Sequence, residues 1–208
     1  MRENFGWQIR RWVVALCGFL VLATGINLTL LGKAAGIDPW NVLHVGISRH
    51  FPLTVGQANV AVGLLLVGVA WRLGVPPTLV TGANAVAVGF LVDVVRGVLP
   101  AEAPKTLAGQ WLFLLFGSVL SGIGIAMYMS TGLGAGPRDS TMLGLSRLLR
   151  LPIGYVRIVM EVVVTAIGWV MGGPAGLGTV ASALIVGPVV QWSLGKLRAL
   201  SQPSTMCR

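Results

Sequence analysis

Two stretches, 36-GIDPWNVLHVGISRHFPLTVG-56 and 134-GAGPRDSTMLGLSRLLRLPIG-154, decide the fold of this chain. They align without a gap when the sequence is shifted by 98 positions, and the match continues as far as residue 92 on residue 190. About 17 of the 57 positions from 36 to 92 are identical, and they include Pro, Trp and Arg, which a shared apolar composition does not explain. The chain therefore contains two copies of one unit, residues 1–104 and residues 105–208.

The composition places both copies in a membrane. Hydrophobic residues make up 55% of the chain and charged residues 10%, whereas soluble domains carry roughly 25% charged residues. Mean hydropathy is +0.84. Crossing the hydrocarbon core takes about 20 apolar residues in a helix, and six runs approach that length. The sequence predicts an all-α, polytopic bundle of about six transmembrane helices, over 12–31, 54–72, 77–96, 109–130, 153–171 and 176–195.

The first run follows Arg10 and Arg11, as the core of a signal peptide would. It is too long for such a core, and more spans follow it. A counterpart of this helix also occurs in the second copy. We therefore expect it to be retained as the first helix of the bundle.

Two further segments, 38–51 and 137–149, look helical but are short. At 1.5 Å per residue each extends about 20 Å, less than the hydrocarbon core. Asp38 with Pro39, and Gly136 with Pro137, are helix-start signals. These helices either lie on the membrane surface or dip into the protein as re-entrant helices. Each copy then crosses the membrane three times, which predicts a 3+3 inverted repeat; short helices that crossed would give eight spans and a parallel repeat.

The net charge of +9 is placed at the ends of the apolar runs. No continuous basic stripe with interleaved aromatic residues exists, so we expect no nucleic-acid partner. With the N-terminus inside, ten positive residues are cytoplasmic and four are outside, as the positive-inside rule requires. Both termini are therefore expected in the cytoplasm. The inner set is Arg2, Arg10, Arg11, Arg72, Arg138, Arg147, Arg150, Lys196, Arg198 and Arg208; the outer set is Lys33, Arg49, Arg96 and Lys105.

Charged residues within a span are costly and are usually retained for function or for pairing. Glu161 lies near the middle of the fifth span, and Arg157 precedes it by one helical turn, so the two can pair. The pair either orients the helix or takes part in coupling or gating. The residue equivalent to Glu161 in the first copy is Gly63, so the two copies differ here.

The starts of the two short helices are the candidate solute site. The first N–H groups of a helix and its positive dipole end favour anions, and transporters use such broken helices at the membrane midplane. Asp38, Asn41, Arg138 and Asp139 stand at these two starts. Arg138 adds a positive charge, and the two Asp residues cap the helices or receive a cation or proton. The alternative is a pair of ordinary capped loops at the membrane surface.

Signatures of enzymes are missing from the sequence. It has no HExxH, GxSxG or Walker motif, so we expect no catalytic residue, no metal, no cofactor and no enzyme activity. His44 and His50 are expected at the surface or interface. The cysteines Cys17 and Cys207 are badly placed for a disulfide. Other polar residues in the spans are expected to form hydrogen bonds between helices: Asn27, Gln57, Asn59, Asn84 and Ser182.

The chain resembles the YczE/YyaS/YitT group of bacterial integral membrane proteins, and most closely the YczE-like branch. Three motifs carry the resemblance, which covers nearly the whole chain: GIDPWNVL at 36–43, GLGAGPRDSTMLG at 132–144 and LPIG at 151–154. The resemblance implies a location in the bacterial plasma membrane. It implies no settled activity and assigns no catalytic residue, although permease-like roles fit the group.

Two functions of different classes follow. The leading hypothesis is a small secondary transporter for a small anionic or zwitterionic solute, with the site at the two short helices. The alternative is a non-transporting scaffold or regulatory partner in the bilayer, whose polar residues serve packing alone. Small residues four apart, Ala70/Gly74 and Gly168/Gly172, permit close helix packing and allow a homodimer.

Overall fold

The computed structural model describes residues 5–33, 35–99 and 103–201, and the side chains of 198–201 are left aside. These residues form helices and no strand, in the order long, short, long, long, repeated once. Six of the helices are long and apolar enough to cross a membrane. The helices are α1 (Phe5–Leu30), α2 (Pro39–His50), α3 (Val55–Arg72), α4 (Leu79–Val98), α5 (Leu107–Ser130), α6 (Pro137–Leu149), α7 (Ile153–Val170) and α8 (Leu177–Ser201).

The predicted helix bundle is confirmed, and most helix ends agree with the predictions to within two residues. Two ends differ: α1 begins at Phe5, and α8 ends at Ser201. Both extensions carry charged residues, which the search for apolar runs left out. Arg2, Cys207 and Arg208 fall outside the described residues.

The centre of the bundle is the packing of α1 along α5, the two equivalent first helices of the copies. Glycines bring these backbones close together. A Cβ atom at Gly18 would lie 2.9 Å from the carbonyl oxygen of Gly124, and one at Gly117 would lie 2.7 Å from that of Gly25. Packing of this kind is typical of membrane helices, where small residues allow dispersion contacts between backbones. The buried core continues around Phe19 and Tyr128, whose ring centroids are 5.5 Å apart.

Each short helix packs on a long helix of the other copy, α2 on α7 and α6 on α3. A Cβ atom at Gly46 would lie 2.7 Å from the carbonyl oxygen of Gly168, so α2 touches the backbone of α7. The hydroxyl of Thr141 donates a hydrogen bond of 3.0 Å to the carbonyl oxygen of Leu66, which fastens α6 to α3. The two copies thus exchange their short helices. The opposite orientation of the two copies in the membrane stays a prediction.

The beginnings of the short helices lie inside the bundle. In α2 the first residues, Pro39 to Val42, are buried, whereas Arg49 and His50 at the other end are exposed. In α6 Pro137 is buried and Arg147 is exposed. Both helices therefore run from the interior to the surface, which rules out the alternative of helices lying flat on the outside of the protein.

The small residues that suggested a homodimer are used within the chain. The backbone of α2 packs directly against Gly168, and Ala70 is buried. Gly74 and Gly172 each have a φ of 80° and end their helices in the left-handed conformation, which glycine adopts at low cost. A homodimer therefore stays a prediction that these residues do not support.

The two copies differ in how their last two helices meet. In the first copy α3 and α4 are in close contact, and the carboxylate of Asp93 on α4 accepts hydrogen bonds from the Thr54 hydroxyl and, at 3.1 Å, from the Gly56 N–H at the start of α3. In the second copy Gln191 replaces Asp93 and Pro152 replaces Thr54. The helices α7 and α8 hardly touch each other.

Candidate functional site

A cavity of about 300 Å³ lies between the helices, and all eight helices contribute to its wall. Five of the six residues predicted for the site line it. These residues are Asp38, Arg138, Asp139, Arg157 and Glu161. The sixth, Asn41, is fully buried directly behind Asp38 and is hydrogen-bonded to it. The structure therefore brings together residues from two distant parts of the chain that the sequence could place only by hypothesis.

The starts of the two short helices meet at this cavity. The guanidinium carbon of Arg138 lies 4.5 Å from the centroid of the Trp40 ring. Stacking on an aromatic face stabilises a cation and holds the planar guanidinium in one orientation. In the described part of the chain the Arg138 side chain makes no hydrogen bond or ion pair, so its N–H donors remain open to the cavity. Arg138, counted above with the cytoplasmic charges, is an interior residue.

The start of α2 is closed by its own side chains. Asp38 is the N-cap, as predicted, and accepts a hydrogen bond of 3.2 Å from the backbone N–H of Asn41. The same carboxylate accepts from the Asn41 amide and from the Thr29 hydroxyl at 3.0 Å. The N–H groups and positive dipole end of α2 are thus largely satisfied within the protein.

The start of α6 is more open. Its N-cap is Gly136, which offers no side chain, and the next residue, Pro137, has no N–H. The carboxylate of Asp139 accepts a hydrogen bond of 2.9 Å from the Tyr128 hydroxyl. A Cβ atom at Gly136 would lie 2.6 Å from that hydroxyl, 3.3 Å from Oδ2 of Asp139 and 3.4 Å from Oδ1 of Asn84. The absence of a side chain at 136 therefore makes room for a cluster of polar groups.

His44 corrects the sequence-based expectation of a surface position. It is fully buried, lines the cavity and lies close enough to Arg138 for the two to interact electrostatically. Its Nδ1 is 3.2 Å from Oδ1 of Asn41, whereas its Nε2 is buried without a hydrogen-bond partner among the described residues. The sequence signal was weak, because the burial of α2 depends on its packing against α7, which no local pattern encodes.

Asn59 and Asn84 also line the cavity, each with a buried amide nitrogen that lacks a partner in the described chain. The expectation that they bond between helices is therefore wrong. It is right for Asn27, which donates to the Val92 carbonyl at 2.9 Å, and for Ser182, which bonds to Ser118 at 2.9 Å. Gln57 instead caps its own helix. Buried polar groups without partners are uncommon in proteins, and three of those found here gather around one cavity.

Arg157 and Glu161 form the predicted ion pair, with 2.9 Å between Nε and Oε1. The pair stands where α7 and α8 are separated. A Cβ atom at Gly187 on α8 would lie 3.4 Å from a guanidinium nitrogen of Arg157, so this side chain reaches across the gap. Residues of both helices line the cavity, Arg157 and Glu161 from α7 and Gln191 and Leu194 from α8.

The arrangement is suited to binding a small polar solute. Three carboxylates and two guanidiniums line the wall, together with open amide groups and a predominantly apolar remainder. No group of three His, Cys, Asp or Glu residues suited to a metal ion occurs in residues 5–33, 35–99 and 103–201.

Comparison with known proteins places the chain in a family. It is 38% identical over 192 residues to the "Uncharacterized membrane protein YczE" of Bacillus subtilis (strain 168), a match covering 89% of this chain and 86% of that protein. Residues 9–194 match the family of unknown function DUF6198. The chain belongs to this family. The resemblance to the YczE-like branch is thereby confirmed.

Two other relatives extend the DUF6198 comparison. An "Uncharacterized protein" of Haemophilus influenzae (strain ATCC 51907 / DSM 11121 / KW20 / Rd) is 32% identical over 193 residues, 93% of this chain and 87% of its own. The "Uncharacterized protein YyaS" of Bacillus subtilis (strain 168) is 28% identical over 175 residues, with 82% and 85% covered. No solved structure gives a significant match. The similarity to the membrane protein YczE and the six long apolar helices make this chain a membrane protein with several transmembrane helices.

Proposed function

We propose that this membrane protein is a small secondary transporter for a small anionic or zwitterionic solute. The observation that carries the proposal is the open guanidinium of Arg138, stacked on Trp40 inside a cavity. A partly buried cation without a direct ion pair is costly. Such a cation at the wall of a cavity is explained if an anionic group of a ligand serves as its counter-ion.

The position of the cavity fits transport better than simple binding. Its wall takes residues from both copies of the repeat and from the starts of two short helices. Solute sites of many transporters lie at such a junction, where broken helices present N–H groups to the solute. The cavity volume of about 300 Å³ is at the small end of ligand pockets, which suits a small organic solute.

The pair of Arg157 and Glu161 is proposed to act in gating or coupling. It lines the cavity on α7, and Arg157 reaches toward Gly187 of α8. The ion pair is partly exposed, with 30% and 14% of the two side chains accessible, so it can rearrange at low cost. We propose a location in the bacterial plasma membrane with both termini in the cytoplasm, and transport without chemical change of the solute.

A swelling assay tests this function across whole classes of solute. Purified protein in proteoliposomes is mixed with isosmotic solutions of small carboxylates, amino acids or inorganic phosphate, and light scattering reports solute entry, with a sugar alcohol as reference. We expect entry of at least one charged class, its loss in Arg138→Ala and a severalfold change of its rate in Glu161→Gln. The matched control is Arg147→Ala, which removes an exposed charge from the same helix as Arg138.

The opposite result favours the alternative function. If the wild-type protein passes no solute class faster than empty liposomes, or if Arg138→Ala and Glu161→Gln lower the folding yield and leave flux unchanged, the transporter proposal fails. A non-transporting scaffold or regulatory partner then becomes the better description of the protein.

A further inference from the structure

The hydrogen bonds around Asn41 determine which nitrogen of His44 carries a proton. The amide nitrogen of Asn41 faces the carboxylate of Asp38 and, at 3.3 Å, the hydroxyl of Thr29. A carboxylate only accepts hydrogen bonds, so this end of the amide must be the NH₂ group. The carbonyl end, Oδ1, therefore points at Nδ1 of His44, 3.2 Å away.

The same donor and acceptor rules assign the proton on the imidazole of His44. Because Oδ1 of Asn41 is an acceptor, Nδ1 of His44 must be the donor, and the proton of a neutral ring is on Nδ1. Nε2 is then left with a free lone pair. It is buried and has no partner among the described residues, while the residue lines the cavity. The row from Asp38 through Asn41 to His44 thus leaves a buried acceptor, Nε2, on a residue that belongs to the cavity wall.

We infer that Nε2 of His44 accepts a hydrogen bond from an ammonium group of the solute, whose carboxylate binds Arg138, so that the solute is a zwitterion with an apolar body. This inference rests on the proposed function and deepens it. A purely anionic solute would leave Nε2 without a donor. It would also add negative charge to a wall that already has three carboxylates against two guanidiniums.

The rest of the wall supports the apolar body. The side chains of Leu22, Ile26, Val62, Val88 and Ile125 face the cavity between the charged groups. Apolar surface of this kind binds a hydrocarbon chain through the hydrophobic effect and gives little to a fully polar solute. The three features together describe a compound of amino-acid type with an apolar side chain.

The second copy shows that the acceptor is specific to α2. Positions 38, 41 and 44 correspond to Gly136, Asp139 and Met142. Met142 lines the same cavity, but a thioether is at most a weak acceptor. The wall of the cavity therefore includes a guanidinium without a direct ion pair among the described residues, Arg138, and an imidazole nitrogen without a donor, Nε2 of His44.

The test combines binding with a direct observation of His44. The probes are matched sets on one carbon skeleton: leucine, isocaproate and isopentylamine, and in parallel phenylalanine, hydrocinnamate and phenethylamine. Binding to purified protein is measured by calorimetry. The imidazole nitrogens of His44 are followed by NMR after isotope labelling, in a His50→Gln background so that a single histidine contributes.

We expect the proton on Nδ1, and a shift of the Nε2 resonance when leucine or phenylalanine binds but not when the deaminated acid is added. Loss of the Nε2 contact should weaken zwitterion binding roughly tenfold to a hundredfold. The matched variants are His44→Asn, which keeps a group near Nδ1 and loses Nε2, and His44→Gln, which keeps an acceptor near Nε2. Only His44→Asn should lose the preference for the zwitterion.

Two results would overturn the inference in distinguishable ways. If isocaproate binds as tightly as leucine and Arg138→Ala abolishes that binding, or if the proton is on Nε2, the role of His44 is wrong while the proposed transport of an anion stands. If no probe of either set binds the wild-type protein, the inference fails, and an absence of flux in the swelling assay then removes the proposed function as well.

Discussion

Trp40 and Arg138 occupy equivalent positions in the two copies of the repeat, and in the folded chain they stack on each other, with 4.5 Å between the guanidinium carbon and the ring centroid. Equivalent residues of a duplicated unit come into contact when they lie near the axis that relates the two units. The contact joins the starts of the two short helices, and both residues line the candidate site.

The stack itself can be tested by changing the ring. Trp40→Leu removes the aromatic face beneath Arg138, and we expect solute binding to weaken about two- to thirtyfold, the value of a cation–π contact of about 0.5–2 kcal/mol. Trp40→Phe keeps a ring and should lose less. Calorimetry with the tightest probe measures both. Trp169→Leu, on an exposed position of α7, is the control; a loss there equal to that of Trp40→Leu would contradict the prediction.

Gly136 should resist any side chain. In Gly136→Ala the new methyl group would stand 2.6 Å from the Tyr128 hydroxyl, pushing it away from Asp139, and we expect a loss of stability of about 1–3 kcal/mol. Removing the hydroxyl with Tyr128→Phe in the same protein should recover part of it. Thermal unfolding in detergent is the measurement. Gly82→Ala, where nothing lies within 4 Å, should be neutral or stabilising, and a destabilisation as large as that of Gly136→Ala would speak against the crowding described here.

The difference between the two copies predicts unequal effects at equivalent glycines. A Cβ atom at Gly56 would lie 2.5 Å from Oδ2 of Asp93, whereas one at Gly154 would meet nothing within 4 Å. We expect Gly56→Ala to lower the unfolding temperature by an amount corresponding to about 1–3 kcal/mol and Gly154→Ala to leave it unchanged or raise it. Each variant is the control for the other, and equal losses at both positions would show that α7 and α8 pack as tightly as α3 and α4.

The ion pair of α7 should matter more for transport than for stability. Partly exposed pairs contribute little to folding, about 0–1 kcal/mol, so we expect Arg157→Gln and Glu161→Gln each to change the swelling rate severalfold with a small change in unfolding temperature. Exchanging the two charges in Arg157→Glu with Glu161→Arg should restore part of the rate. If the exchange is as inactive as the single variants and the singles unfold easily, the pair has only a structural role.

The orientation of the two copies can be measured by labelling single cysteines in a protein without Cys17 and Cys207. His50 and Leu148 are equivalent positions, and both are exposed at the outer ends of the short helices. They are preferable to Arg49, which donates a hydrogen bond to the Gly172 carbonyl. In intact cells we expect an impermeant reagent to label position 50 and not position 148. Labelling of both from one side would replace the inverted repeat with a parallel one.

The long helices and much of the site could be predicted from the sequence because their signals are local or repeated. Apolar runs report spans directly, and Asp38 before Pro39 reports a helix start. The duplication pointed to Arg138 and Asp139 because they stand in the second copy where α2 starts in the first. Glu161 is conspicuous in the sequence because it is a charge within an apolar run.

His44, Trp40 and Tyr128 could not be predicted as members of the site, since their roles depend on contacts between distant helices. His44 is buried because α2 packs on α7, and Tyr128 reaches Asp139 only across the start of α6. The separation of α7 from α8 could not be predicted either, because it also depends on contacts between helices. It coincides with the replacement of Thr54 and Asp93 by Pro152 and Gln191, and its effect on the packing of the two helices is visible only when both helices are in place.

Arg138 and His44 are supported by different helices. Arg138 and Asp139 are on α6, which is fastened to α3, and α3 is in turn tied to α4 through Asp93. His44 is on α2, which packs against α7, and α7 makes little contact with its neighbour α8. The two groups that the solute is proposed to bind are therefore held mainly by different helices, although α2 also contacts α3. In the proposed transport cycle, a displacement of α7 relative to α3 would change the spacing of Arg138 and His44, and a solute bound to both would then be released.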